Sequence, residues 1–181
     1  YSGCRSKTMG SRRIEEVRNK TQFTTNGKKA IFKRLLEAEM FEKFLDKKFI
    51  GTKRFGLVGS EATIPGIEQI IKQSCLSGIE DIYIGTAHRG RLTLLSSVME
   101  VPLRSIMAKF EGGGEDPNEI LGSGDVKYHL GISSDREFED KKIHLSLTPN
   151  PSHLEAVDPV VMGKVRAEQT LLKDKTNDKV M

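Results

Sequence analysis

Tryptophan is absent from this chain, cysteine occurs only twice, and nowhere do eighteen apolar residues run together. The last absence leaves no stretch long enough to cross a bilayer as a helix, which takes about twenty. Cys4 and Cys75 lie far apart without a CxxC, so neither a disulfide framework nor a zinc ribbon is encoded, and a reducing compartment is the simpler reading. The histidines at 88, 129, 144 and 153 form no HExxH pair and no close ligand spacing, so no metal bound by these residues alone is expected. Gly122-Ser123-Gly124-Asp125 and the glycines at 112–114 match neither a dinucleotide fingerprint nor a Walker A loop, and read as loop. Ser152-His153 sits outside any GxSxG elbow, and helix neighbours cannot be aimed at each other as nucleophile and base.

What remains is a chain of 181 residues, 36% apolar and 30% charged, enough for one domain with its own core. The formal charge of +4 is unevenly placed: residues 1–34 hold ten Lys/Arg against two Glu, and the remainder is acidic. Residues 1–28 therefore read as a basic arm, solvated or facing a partner, and 29–181 as the folded part. The Tyr at position 1 and the apolar Val180-Met181 at the other end read as the cut ends of a longer protein.

The apolar spacing of Phe32, Leu35, Leu36, Met40, Phe44 and Leu45 predicts a helix over 29–49 with one apolar stripe. A second helix carries Ile64, Ile67, Ile70 and Ile71, with Pro65 in its first turn and Gly78 at its end. A strand near Ile82 to Gly85, a helix over about 89–99, a short helix around 105–110, a strand at 126–130, a polar turn over 133–142, a strand at 143–147 and a helix over about 152–172 follow. This alternation reads as α/β with a parallel sheet and flanking helices.

Two polar clusters stand where a strand gives way to a helix: Thr86-Ala87-His88-Arg89-Gly90-Arg91 and Asn150-Pro151-Ser152-His153-Leu154-Glu155. Such junctions are where open α/β sheets bind ligands. The first gathers two arginines and a histidine, a site for an anion. In the second, Ser152 and Glu155 have the spacing of a capping box, whose helix N-terminus presents free N–H donors. Together they predict one phosphate-bearing ligand held at two points. His88 and His129 can each donate to a carboxylate or oxyanion without burying a permanent cation. His144 alternates with Leu145 and Leu147 and reads as a strand residue, not a ligand.

The segments KRFGLVGSEATIP, AHRGRL, GSGDVKYHLG and HLSLTPNPSHLEAVDPVVMGKVRAEQ, running with compatible spacing over most of the chain from Ala30, resemble the thiamine-dependent dehydrogenase component of the 2-oxoglutarate dehydrogenase complex. The SSDREF segment is similar to its bacterial and mitochondrial branch. The resemblance implies an incomplete transketolase-like domain that binds thiamine diphosphate, truncated at its C-terminal end. It implies cofactor contacts for Arg89, Ser152 and Leu154, catalytic and substrate-facing roles for His88 and His129, and a substrate-side position for Ser133. Magnesium ligands are expected beyond residue 181. The implied substrate is 2-oxoglutarate, and the implied partners are a lipoyl-bearing succinyltransferase and a second copy in a homodimer; neither nucleic acid nor a membrane span is expected. The compartment would be the bacterial cytoplasm or the mitochondrial matrix. A related thiamine enzyme with another 2-oxo acid, or a basic-arm binding module, stays open as an alternative. Thr93 stands where this family commonly has Asn, Pro149 where Ala is common, and the tryptophan-bearing helix that usually opens the region is missing.

Overall fold

A computed structural model describes residue 16 and residues 20–110, 129–150 and 153–181. The chain divides into two compact units, 1–33 and 34–181. In the first, Thr24 caps a helix that starts at the next residue, its Oγ1 accepting the Gly27 N–H at 3.1 Å. The account below concerns the second.

The elements are helix α1 (Thr25–Lys48), helix α2 (Thr63–Ser77), strand β1 (Asp81–Ile84), helix α3 (Arg91–Ser97), helix α4 (Leu103–Phe110), strand β2 (Ile132–Phe138), strand β3 (Lys141–Leu147) and helix α5 (Leu154–Leu171). The α/β reading is met, with one correction: the sheet is mixed. In the order β1-β3-β2, β1 runs parallel to β3 while β2 runs antiparallel to it. The expected polar turn over 133–142 is instead β2 and a tight hairpin. Glu139 and Asp140 both take positive φ, 50° and 67°, as the two central residues of a type I′ turn do. The polar residues belong to a strand because they alternate: Ile132, Arg136 and Phe138 pack inward while Ser133, Asp135 and Glu137 face out. Beyond β1, Val180 bridges to Asp81 in parallel, so the apolar end of the chain does pair with the sheet.

The main core joins Ile64, Ile71 and Cys75 of α2 to Ile82, Leu94, Val98, Ile143, Leu145 and Leu147. Here α1 departs from expectation. Its buried row is Ala38, Phe41 and Leu45, while Leu36, Met40 and Phe44 stay exposed. That docking face turns Glu42 toward the loop at Leu57. Gly78 ends α2 as expected, at φ 100°.

Arg136 is 7% exposed and ties β2 to α2: its guanidinium meets both carboxylate oxygens of Glu68, at 3.0 and 3.1 Å, and donates to the Val98 carbonyl at 2.7 Å. A bidentate pair this buried is costly to break: losing Arg136 strips Glu68 of its two nearer donors, leaving it Arg34 at 3.3 Å, and takes a donor from the Val98 carbonyl. Arg136→Ala should therefore lower unfolding free energy by about 3 kcal/mol in denaturant titrations.

At the chain's other end, burial pushes the Asp174 carboxyl up, but backbone N–H donors from Lys179, Asp178, Val180 and Asn177 outweigh it and hold it below the ordinary carboxylate range. A depressed folded value favours the fold once the carboxylate is charged; that contribution is complete above the unfolded value and disappears as pH falls through the folded one. Melting temperature should decline below about pH 4, and Asp174→Asn should make that decline shallower.

Candidate functional site

Because β1 and β3 are parallel neighbours, the loops after Ile84 and Leu147 leave the same end of the sheet. β2 is antiparallel, so its amino end, paired Ile132 to Leu147, reaches that end too. Residues 85–90, 129–131 and 148–150 thus converge for a topological reason.

Arg91 laces them together. Its side chain is 1% exposed. Nη1 donates to the Thr86 carbonyl at 3.2 Å and Nη2 to the Leu130 and Thr148 carbonyls at 2.8 and 3.2 Å. Burial pushes its guanidinium below the ordinary arginine value, yet arginine titrates so high that it stays charged. None of its partners among the described residues is a carboxylate. Asn150, 2% exposed, adds a second tie: its side-chain amide donates to the Thr86 carbonyl at 2.8 Å and its backbone N–H to the His129 carbonyl at 3.0 Å. Its Oδ1 accepts the His153 N–H at 3.3 Å, joining the start of α5 to the same knot.

The His88-Arg89-Gly90 turn is moulded on residues 54–57. Gly90 takes φ 70° and donates to the Phe55 carbonyl at 2.6 Å. The Arg89 guanidinium donates to the Gly56 carbonyl at 3.1 Å, and the His88 ring lies 4.4 Å from that of Phe55, tilted by 45°. Glu42 braces the mould from α1, accepting the Leu57 N–H on both oxygens at 2.7 and 2.9 Å and the Thr93 hydroxyl at 2.6 Å. Thr93, at the position where Asn was anticipated, thus keeps a donor in place.

The predicted site residues fall as follows. His88 is half-buried against Phe55, and Arg89 is exposed. His129 stands at the turn entering β2, its carbonyl held by Asn150. Ser133 lies exposed on β2, paired in register with Ser146. Leu154, 60% exposed, is the first residue of α5. Ser152 lies outside the described residues, as do the glycine segments at 112–114 and 122–124. The capping-box expectation is corrected: the N-cap of α5 is His153, without a side-chain bond to the helix, because the helix begins one residue later than that spacing requires. His144 is a strand residue, as expected, with Nδ1 2.6 Å from Asp135 Oδ1 across the hairpin.

A cleft of about 480 Å³ opens beside this turn, walled by Leu45, Phe55, Val58 and Leu92, with Lys43, Lys53, Arg54 and Arg89 as cations and Glu39, Glu42, Asp46 and Glu61 as acids. Arg89 lines it, while His88, His129, Ser133 and Leu154 do not. Among the described residues, no helix is long and apolar enough to cross a membrane and no three His, Cys, Asp or Glu side chains are grouped to hold a metal. The sequence reading named Arg91 and Asn150 within their clusters but missed that they are the ties, and missed Glu42 altogether. A lone Glu two residues before the apolar Phe44-Leu45 pair carries no signal of its own.

Adding a methyl group at Gly90 would drive it into Leu57 in a backbone region that L side chains seldom adopt. Gly90→Ala should cost about 2 to 4 kcal/mol of stability by denaturant titration, more than an exposed glycine replacement.

No family model matches the chain. It is 58% identical over 166 residues to the 2-oxoglutarate dehydrogenase E1 component of Brucella anthropi, a match covering 92% of this chain and 17% of that protein. The components of the same name from Brucella canis and Brucella suis are also 58% identical over 166 residues, 92% of this chain and 16% of theirs. The chain therefore matches a fragment of these larger proteins.

Proposed function

We propose, from that likeness to the 2-oxoglutarate dehydrogenase E1 component, that this chain is a stretch of a thiamine diphosphate-dependent 2-oxo acid dehydrogenase acting on 2-oxoglutarate. The identity sustained across 166 residues carries the reading. The domain would be the transketolase-like one, with the folded part running from about 29 and the basic arm before it. The whole enzyme would pass a succinyl group to a lipoyl-bearing succinyltransferase and act as a homodimer. Its compartment would be the bacterial cytoplasm or the mitochondrial matrix, according to source.

The residues present suit an anionic cofactor. Among the described residues Arg89 spends one donor on the Gly56 carbonyl and has no carboxylate partner, and the N-cap of α5 makes no side-chain bond to its helix, so backbone donors there would be open to an anion. Arg89, Ser152 and Leu154 would hold thiamine diphosphate, with Leu154 offering apolar surface. When bound, the cofactor supplies the electron sink for loss of carbon dioxide. His88 and His129 would hydrogen-bond the substrate carboxylate and the oxygen on which charge develops, with Ser133 at the substrate side. Magnesium would be held by residues after 181.

In the full-length enzyme, His129→Ala should lower turnover of 2-oxoglutarate by about a hundredfold or more while leaving thiamine diphosphate titration near that of the parent. Arg89→Ala should do the reverse, weakening cofactor binding by about tenfold or more. Equal turnover in parent and His129→Ala protein would remove the substrate role, and an unchanged titration for Arg89→Ala would remove the cofactor role.

A further inference from the structure

We infer that Phe55 is a positioning residue for His88, acting through the ring contact and the backbone mould beneath the 88–90 turn; this rests on the substrate-facing role proposed for His88. Phe55 has φ 48°, a left-handed conformation that a bulky side chain adopts at a cost. Such a conformation persists only where its surroundings impose it, and here several neighbouring polar groups are engaged. The Phe55 carbonyl accepts the Gly90 N–H at 2.6 Å, the Gly56 carbonyl accepts Arg89 at 3.1 Å, and the Leu57 N–H is held by both oxygens of Glu42. On its other flank Arg54 donates to the Phe49 carbonyl at 2.8 Å and is paired with Asp46.

The outcome of this bracing is a fixed ring. A relaxed backbone at 55 would swing the phenyl group away from the imidazole, which it meets at 4.4 Å between centroids and 45° between planes. A tilted aromatic contact of this kind restricts how the smaller ring can turn. His88 is half-buried, with Phe55 the ring it packs against. The direction in which its nitrogens present a proton is therefore set from residue 55. Glu42 belongs to the same device one step further back, since it fastens Leu57 to Thr93 and so joins the mould to α3.

The test uses the full-length enzyme. Phe55→Leu keeps apolar bulk and removes the ring; it should lower kcat by about tenfold to a hundredfold, as expected for a misplaced catalytic group, with KM for cofactor and melting temperature close to the parent. Phe55→Tyr, which restores an aromatic ring, should recover most of the turnover. In a His88→Ala background, Phe55→Leu should have no further effect. If Phe55→Leu does not fold, Phe55→Met makes the same comparison. Full activity in His88→Ala would instead defeat the reading of His88 itself. An impaired His88→Ala combined with a silent Phe55→Leu, or with effects that multiply in the double variant, would overturn the positioning role alone.

Discussion

A single buried guanidinium organises the end of the sheet where the candidate site residues gather. Arg91 brings a charge into the interior and surrounds it with backbone carbonyls from three separate strand ends, Thr86 after β1, Thr148 after β3 and Leu130 before β2. Carbonyl dipoles are weaker partners than a carboxylate, so the charge is held only when all three chains are in register around it. This makes the arrangement cooperative: displacing one loop leaves a buried cation short of acceptors. Asn150 repeats the device with neutral groups, adding the start of α5.

Around that knot the protein is stiff in the places where a site needs it to be. Gly85 lies so close to α5 that a Cβ there would come within 2.6 Å of Val161, and Gly131 is packed against Pro149. These contacts leave the loops little room to shift as bodies. The Glu42 clamp serves the 88–90 turn in the same way, using a carboxylate as a common acceptor for a backbone N–H from one loop and a hydroxyl from α3. Sites built on such ties hold side chains within the narrow tolerances that catalysis demands.

How much of this could be read in the amino-acid order depends on the range of the interaction. The end of α2 at Gly78 and the strand at 143–147 were legible, since glycine stops and runs of Ile, His and Leu act within a few residues. The expected polar turn over 133–142 was right at Glu139-Asp140 and wrong before it: β2 hides its alternation behind polar residues, and only pairing with β3 gives Ser133 and Asp135 a reason to be extended. The exposed face of α1 was misassigned for a similar cause: two rows of apolar residues compete, and the choice of Ala38, Phe41 and Leu45 was made by what they pack against.

The residues that could do chemistry, the two histidine-bearing junctions and the family they resemble, were determined by the sequence itself, because side-chain identity and spacing are local facts. Tertiary structure alone decided that His129 arrives at the carboxyl ends of β1 and β3 through an antiparallel strand, that Arg91 is a tie while Arg89 stays open to the cleft, and that Phe55 bears on His88. Two arginines separated by one residue are indistinguishable as letters. Their roles separate only when one side chain points into the knot of carbonyls and the other points away from it, which is a matter of backbone direction at Gly90.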